Sequence, residues 1–438
     1  MANPLLDIFR IRDLRQRILF TVMILVIFRI GAFLPIPGID VGTVKNFYAA
    51  QQSGGIGITD YFDFFSGGAF TNFSVFMLGI VPYITTSIMM QLLVLVFPKL
   101  KKVSQEEGGK KRIQRYTRIA TVGVCIIQSL TVTTFAGQIP GAIIMDRIPF
   151  TILATVTVTA GTIFLMWLGE QITQRGIGNG ISLLIFAGIV ARIPDAIYIM
   201  INQVQRGDLN PVFFVLVLGA FVGVISLVIY EQQGQRRIPV NYAKRVIGRK
   251  VYGAQNAYLP FRINPSGVIP VIFASSVLIF PLQIAQNLGG GVPWLSRFAA
   301  WLTPNGVPYM LFYALLIVFF AYFYTQVTLN PVEISKQIRE NGGSIRGISS
   351  DNMTEYLTRI LNRIILPGAL FLAVIAIIPS IIQALFRFPS SVAFLMGGTS
   401  LLIMVGVDLD TMSQIEGHLK MHHHDGIVRK GRVRARNL

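Results

Sequence analysis

Long apolar runs, interrupted by short joints rich in glycine, proline and charge, account for most of this chain. About 20 apolar residues suffice to cross the hydrocarbon core of a bilayer. Runs of that order lie at 18–34, 74–97, 116–136, 150–170, 181–203, 211–231, 267–287, 308–329, 363–386 and 391–411. They predict an all-α polytopic membrane protein with ten transmembrane helices. The breaks fall at Pro98, Gly137, Gly176–Gly180, Asn210–Pro211, Gly289–Gly291 and Asn330–Pro331.

One stretch, from Thr59 to Pro98, departs from this pattern. Its first part, TDYFDFFSGGAFTNFS, is aromatic and glycine-containing, too short and too polar to cross a bilayer. Its second part, VFMLGIVPYITTSIMMQLLVLVFP, is long and apolar enough to do so. A half-length segment joined to a full span reads as a broken second helix that enters the membrane from one side. Irregular backbone at that depth is tolerated only where it packs in protein or lines a water-filled cavity. The stretch therefore predicts a cavity and, in a chain of many spans, transport.

Composition supports the membrane reading, with 53% of the 438 residues hydrophobic and only 13% charged, against about 25% charged in soluble domains. The net charge of +18 raises the question of where the 38 basic residues fall. With a cytoplasmic N-terminus, the segments on that side hold 31 of them and the opposite side 6, with Arg29 inside a span. Such asymmetry fixes orientation by the positive-inside rule and predicts both termini in the cytoplasm. Residues 1–17, with four arginines and apolar residues at helical spacing, suit an amphipathic helix on the membrane surface. The 18–34 run lacks a small-residue cleavage site, so it reads as a retained span rather than a removed signal peptide.

Ten spans divide into five and five. An odd half places the second half upside down, the inverted arrangement that sets a pathway between the halves. The expected organisation is a first half over 18–203 and a second over 211–411, around a central pore. The sixth span and a basic cytoplasmic loop fill 204–266, another cytoplasmic loop fills 330–362, and a basic tail fills 412–438.

Few residues suggest chemistry. Cys125 is the single cysteine, so no disulfide forms within the chain. RGIGNGIS (175–182) superficially resembles a phosphate cradle, but it follows a membrane helix and lacks the Lys-Ser/Thr pair, so a tight turn is expected. His422–His424 has no second ligand cluster to complete a metal site, and a solvated tail is expected. No nucleophile–base pair, paired carboxylate or nucleotide loop is visible, so neither an enzyme nor a cofactor is expected. Ile80 and Ile84 share one helix face at i, i+4, and Ile185 and Ile189 repeat the arrangement. These pairs read either as packing and lipid-facing residues or as a hydrophobic constriction that excludes ions by dewetting.

PIPGID (35–40), FSGGAF (65–70), LGIVPYITTSIMMQLL (78–93), WLGEQITQRGIGNGIS (167–182), QRRIPVNYAKR (235–245), GVIPVIFASS (267–276) and GGTSLLI (397–403) together resemble the SecY family, the pore subunits of the Sec protein-conducting channel. The likeness runs from the first span to the tenth, in order. It implies an hourglass with a ring of six apolar residues, matched here by Ile80, Ile84, Ile185, Ile189, Ile272 and Ile403. It implies a plug over about 61–70, including Tyr61, Phe62, Phe64, Phe65, Gly67 and Gly68. It implies a lateral gate in which Thr85, Thr86, Ser87 and Gln91 face Ser275 and Ser276.

The likeness also implies docking of the ribosome and the SecA motor ATPase on the cytoplasmic loops, through Arg236, Arg237, Lys244, Arg245, Arg249 and Lys250. Where many relatives carry an arginine in a PGIRPG-like turn, this chain reads SIRGISSD, with Ser349 at the matching place and Arg346 three residues earlier. SecE-like and SecG-like subunits, secretory and membrane substrates with signal sequences, and anionic lipids complete the expected partners, in a bacterial plasma membrane. The rival reading, a secondary solute transporter built from inverted repeats, requires polar or ionisable groups at the midplane, where the matched residues are isoleucine. Asp408 stands where the family has an apolar residue, and like Arg29 it has no role assigned by sequence.

Overall fold

Backbone groups in hydrocarbon must bond within their own segment, so apolar runs wind into helices. The computed structural model describes residues 11–51, 63, 65–137, 139–207, 210–242, 245–247, 250–252, 256–288, 297, 306–386 and 398–430. They form two compact units, Met1–Tyr198 with Ile403–Leu438, and Ile199–Leu402.

The first unit contains α1 (Arg12–Gly31), α2 (Val41–Gln51), α3 (Val81–Val96), α4 (Pro98–Gln105), α5 (Gly109–Ala136), α6 (Arg147–Arg175) and most of α7 (Gly180–Arg206). α1 is apolar on both faces. Thr21, Ile24, Phe28 and Gly31 are buried on one side, while Leu19, Val22, Val26 and Ile30 are exposed on the other. A helix apolar all round, with one face left open, suits contact with lipid. Arg12 to Arg17 continue this helix without a break; the rest of the expected surface segment, residues 1–10, lies outside the described residues.

The second span differs from the sequence expectation. Helix begins only at Val81; Ser74 lies in a β-bridge and 75–80 are turns. The backbone here bonds sideways instead. Ile36 N–H donates to Phe73 O at 3.0 Å and Val75 N–H to Leu34 O at 2.9 Å, around a bridge between Pro35 and Ser74. Pro82 then sits in the first turn of α3, where its missing N–H costs nothing. At the other end Phe97 is extended, as a residue before proline prefers, and α4 leaves α3 at 103°. The PIPGID motif is pinned in turn, with Asp40 N–H to Ala142 O at 2.8 Å and Ile144 N–H to Gly38 O at 3.0 Å. Asp40 itself opens α2, accepting from Gly42 N–H and the Thr43 hydroxyl, and these bonds, the hydroxyl first, hold its carboxyl below the usual range.

The second unit holds α8 (Pro211–Gln233), strands β1 (Gln235–Tyr242), β2 (Arg245–Ile247), β3 (Lys250–Tyr252) and β4 (Asn256–Arg262), then α9 (Ile269–Leu288), α10 (Val307–Thr328), α11 (Pro331–Glu340), β5 (Gly343–Ile345) and α12 (Met353–Phe386). The loop expected to be basic and cytoplasmic is thus partly sheet. β1 pairs antiparallel with β4, Ile238 opposite Leu259, and with β5, Val240 opposite Ile345. Ile238 and Val240 point inward at the two-residue period of a strand, onto a core with Phe261, Ile338, Met353, Leu357 and Ile360.

The last helix, α13 (Gly398–Lys430), belongs to the first unit from Ile403 onward, although the sequence halves placed it with the second. Among the described residues four stretches are long and apolar enough to cross a membrane, Arg147–Arg175, Gly180–Arg206, Val307–Glu340 and Met353–Ile378. Counted as a single broken span, the bent pair α3–α4 makes a fifth.

Candidate functional site

The described part of the 61–70 segment, Asp63 with Phe65–Phe70, closes on itself. Gly68 N–H donates to Asp63 O at 2.9 Å, and the Ser66 hydroxyl donates to the same carbonyl at 3.2 Å. Ser66 Oγ accepts from Phe70 N–H at 3.2 Å, and Asp63 Oδ1 accepts from Thr71 N–H at 2.8 Å. Phe65, Ala69 and Phe70 are buried, with Tyr48 edge-on to Phe70 at 5.9 Å between ring centres. Tyr61, Phe62 and Phe64 lie outside the described residues.

Two arginines from neighbouring helices reach this segment. Arg29, in the last turn of α1, donates from Nη1 to the Gly67 carbonyl at 2.7 Å, and its guanidinium lies 4.6 Å from the centre of the Phe33 ring. Arg192, on α7, forms an ion pair with Asp63, whose side chain is 6% exposed against 27% for the arginine. Between these links the segment lies directly on the backbone of α7. Gly67 has a left-handed φ of +68°, and a Cβ on it would stand 2.7 Å from the Cα of Gly188.

The six matched isoleucines are all sheltered. Ile80, Ile185, Ile189 and Ile403 are buried; Ile84 and Ile272 are half-buried. Ile80, Ile84, Ile185, Ile189 and Ile403 lie in the first unit and Ile272 in the second. The polar residues matched to a gate are distributed likewise. Thr85 and Thr86 are buried on α3 and donate to the carbonyls of Val81 and Pro82, at 3.0 and 2.7 Å, within their own helix. Ser87 is half-buried and Gln91 exposed. In the second unit Ser275, buried on α9, donates to Ile272 O at 2.9 Å, and Ser276 is half-buried.

On the sheet, Arg236 and Arg237 are exposed on β1, and Arg346, also exposed, immediately follows β5, which pairs with the same strand. The two basic loops therefore share one sheet. Arg245 and Lys250 fall in the β2–β3 hairpin, where only the backbone is described; Lys244 and Arg249 lie outside the described residues.

The Gly176–Gly180 joint has no spare donors for a phosphate at four of its positions. Ile177 N–H donates to Thr21 Oγ1 at 3.2 Å, Gly178 N–H to Gln414 Oε1 at 2.9 Å, Gly180 N–H to Thr173 Oγ1 at 2.9 Å, and Gly176 N–H to Ile172 O at 2.7 Å. It is a turn that ties α1, α6, α7 and α13 together. The side chains of His422–His424 lie outside the described residues.

Sequence reasoning gave no role to Asp63, Arg192 or Arg29. A signal was available. An ionisable group at the centre of a span costs about 2.5–3.5 kcal/mol on insertion scales, and such groups within spans are almost always paired. Here Arg29 and Arg192 both spend their charge on the same short segment.

Comparison with known proteins bears on the whole chain. A family model described as SecY matches residues 74–412. The chain is 45% identical over 422 residues to the protein translocase subunit SecY of Borreliella burgdorferi, covering 96% of each. It is 42% identical to the protein translocase subunit SecY of Escherichia coli strain K12, covering 97% of this chain and 96% of that one. Among solved structures, it resembles a protein conducting channel with a TM-score of 0.66 at 20% identity, covering 92% of this chain and 91% of that one. It also resembles Sec61 in the canine ribosome-channel complex from the endoplasmic reticulum, with a TM-score of 0.61 at 19% identity and the same coverage.

Proposed function

The chain belongs to the SecY family, and on that premise we propose that it is the central subunit of a protein translocase, a passive membrane channel for unfolded polypeptides that also releases transmembrane segments sideways into lipid. The observation that carries this reading is identity above 40% to translocase subunits over nearly the entire chain. The chemistry agrees with it. A translocating chain is extended and presents every kind of side chain, so a conduit for it must bind none of them tightly. Aliphatic side chains meet that need, and a narrow apolar throat limits leak because ions must shed water to pass. A solute transporter would instead require fixed polar groups at its centre.

In this reading Ile80, Ile84, Ile185, Ile189, Ile272 and Ile403 form the constriction, and 61–70 is the plug on its outer side. What supports the ring is that none of the six is exposed. What supports the plug is a self-closed segment whose described residues are fastened to neighbouring helices through the Arg29 hydrogen bond and the Arg192 ion pair. Thr85, Thr86, Ser87, Gln91, Ser275 and Ser276 form a lateral gate whose weak polar contacts, about 0.6–2 kcal/mol each in membranes, allow it to part for a hydrophobic signal segment.

The cytoplasmic sheet docks the ribosome and a SecA-type motor through Arg236, Arg237 and Arg346, with Lys244, Arg245, Arg249 and Lys250 beyond it. Small SecE-like and SecG-like subunits and anionic lipids surround the channel in a bacterial plasma membrane, with both termini in the cytoplasm. The decisive test is reconstitution with those subunits and the motor in vesicles, followed by protease protection of a precursor bearing a signal sequence. Protected precursor that requires this chain is the expected result. Its absence, with the chain folded and incorporated, refutes the assignment.

A further inference from the structure

One carboxyl in the second unit is buried with little to compensate it. Glu231 lies in the last turn of α8 and is 6% exposed. Neither of its oxygens has a well-formed hydrogen bond, and no ion pair among the described residues includes it. The end of a helix is also the negative end of its dipole, where an anion is disfavoured. Burial, poor pairing and the dipole therefore all act against this side chain.

The polar group beside it is the side-chain amide of Asn264. That amide is committed elsewhere. Its Nδ2 donates to Gly267 O at 3.0 Å, and its Oδ1 accepts from the Ser266 hydroxyl at 3.0 Å. Asn264 and Ser266 are both buried, and these bonds fix the turn over 263–268 that joins β4 to α9. The turn is pressed onto its neighbours. Ile263 N–H donates to Gly234 O at 2.9 Å, and a Cβ on Gly234 would stand 2.5 Å from Ile263 Cδ1. A Cβ on Gly368 of α12 would stand 2.7 Å from Ile263 O. Packing this close leaves no space for a water, and both carboxylate oxygens are sealed from solvent.

We propose that Glu231 is a positioning residue that biases α9 toward opening, its carboxyl held dry at rest and wetted when the 263–268 turn moves off with α9. The proposal rests on the reading of α9, with Ile272, Ser275 and Ser276, as one wall of the lateral gate. Helix α9 starts at Ile269, directly after the turn, so a shift of α9 draws the turn away from Glu231. The resting position then carries a cost that the opened position sheds. A signal segment needs correspondingly less differential affinity to shift the balance. A carboxyl that merely supports the fold predicts the reverse, because removing it weakens the resting state.

The test uses the complete channel complex and compares Glu231→Gln and Glu231→Met with the unaltered chain. Both side chains are close in length to glutamate and cost less to bury. Each variant is expected to raise the melting temperature of the detergent-solubilised complex. In planar bilayers each is expected to lower the conductance opened by a synthetic signal peptide by about fivefold or more. Motor affinity is expected to stay unchanged, since the sheet arginines are untouched. Hydrogen exchange at amides 263–268 of the unaltered complex is expected to speed up when the peptide is added. If the unaltered complex does not conduct with the peptide, the channel reading itself falls. If it conducts, and the two variants conduct as much, the bias is wrong while the channel stands. Lower melting or failed assembly of either variant identifies a carboxyl that supports the resting fold, and overturns the proposal. Weakened motor binding, or exchange that does not change with peptide, overturns it as well.

Discussion

Replacing Gly67 with alanine tests how tightly the proposed plug segment is seated, and the structure allows the size of the effect to be worked out. Gly67 adopts φ +68° and Gly68 φ +89°, both in the left-handed region that costs an L residue about 1–2 kcal/mol. The surroundings of the two differ. A Cβ on Gly68 would meet the Arg192 side chain at 3.5 Å, an ordinary contact. A Cβ on Gly67 would stand 2.7 Å from the Cα of Gly188, about 1 Å inside the usual 3.5–4.0 Å separation. Backbone of a packed helix gives way poorly, and such overpacking adds about 1–3 kcal/mol. Gly68→Ala is therefore expected to weaken the seated state by about 1–2 kcal/mol and Gly67→Ala by about 2–5. At tenfold per ~1.4 kcal/mol, the second shifts the ratio of unseated to seated plug by about 30-fold or more. The assay is resting conductance of the complex in planar bilayers, normalised to the amount incorporated. Gly67→Ala leaking no more than Gly68→Ala would refute the close approach to Gly188 as a seating contact.

Other perturbations probe the remaining parts. Ile84→Asn and Ile403→Asn should each raise resting leak, because a polar side chain wets an apolar throat; unchanged single-channel conductance counts against the ring. Arg236→Glu, Arg237→Glu and Arg346→Glu should each weaken ribosome and motor binding by roughly 1 kcal/mol, about fivefold in Kd, at low ionic strength. The deficit should shrink as salt shortens the Debye length below ~8 Å, and a salt-independent deficit in a titration series would mean these arginines act through structure rather than charge. Gln414→Ala removes the acceptor of Gly178 N–H and should lower the stability of the detergent-solubilised complex by about 1 kcal/mol. Gln414→Glu, which keeps an oxygen in place, should largely retain it, and equal melting of the two variants would show the bond to be dispensable.

Much of the architecture was open to a reading of the sequence. Apolar runs near the thickness of a bilayer have only one good way to satisfy their backbone, so their helices were predictable from composition and length alone. The broken second element was visible because FSGGAFTNFS is too short and too polar to continue a span. The family was visible because several long motifs recur in order. Three matters were decided only by tertiary contact. Helix α3 begins at Val81 rather than near Ser74, since residues 73–75 pair with 34–36, 37 to 41 residues away in sequence and invisible to local pattern. The basic loop became sheet because Ile238 and Val240 found a core supplied by α11 and α12. Asp63, Arg29 and Arg192 acquired roles only when folding brought the tip of one segment against two distant helices. Hydrophobic periodicity is local and survives in the string of residues. The partner of a buried charge is not local, and only the folded chain can name it.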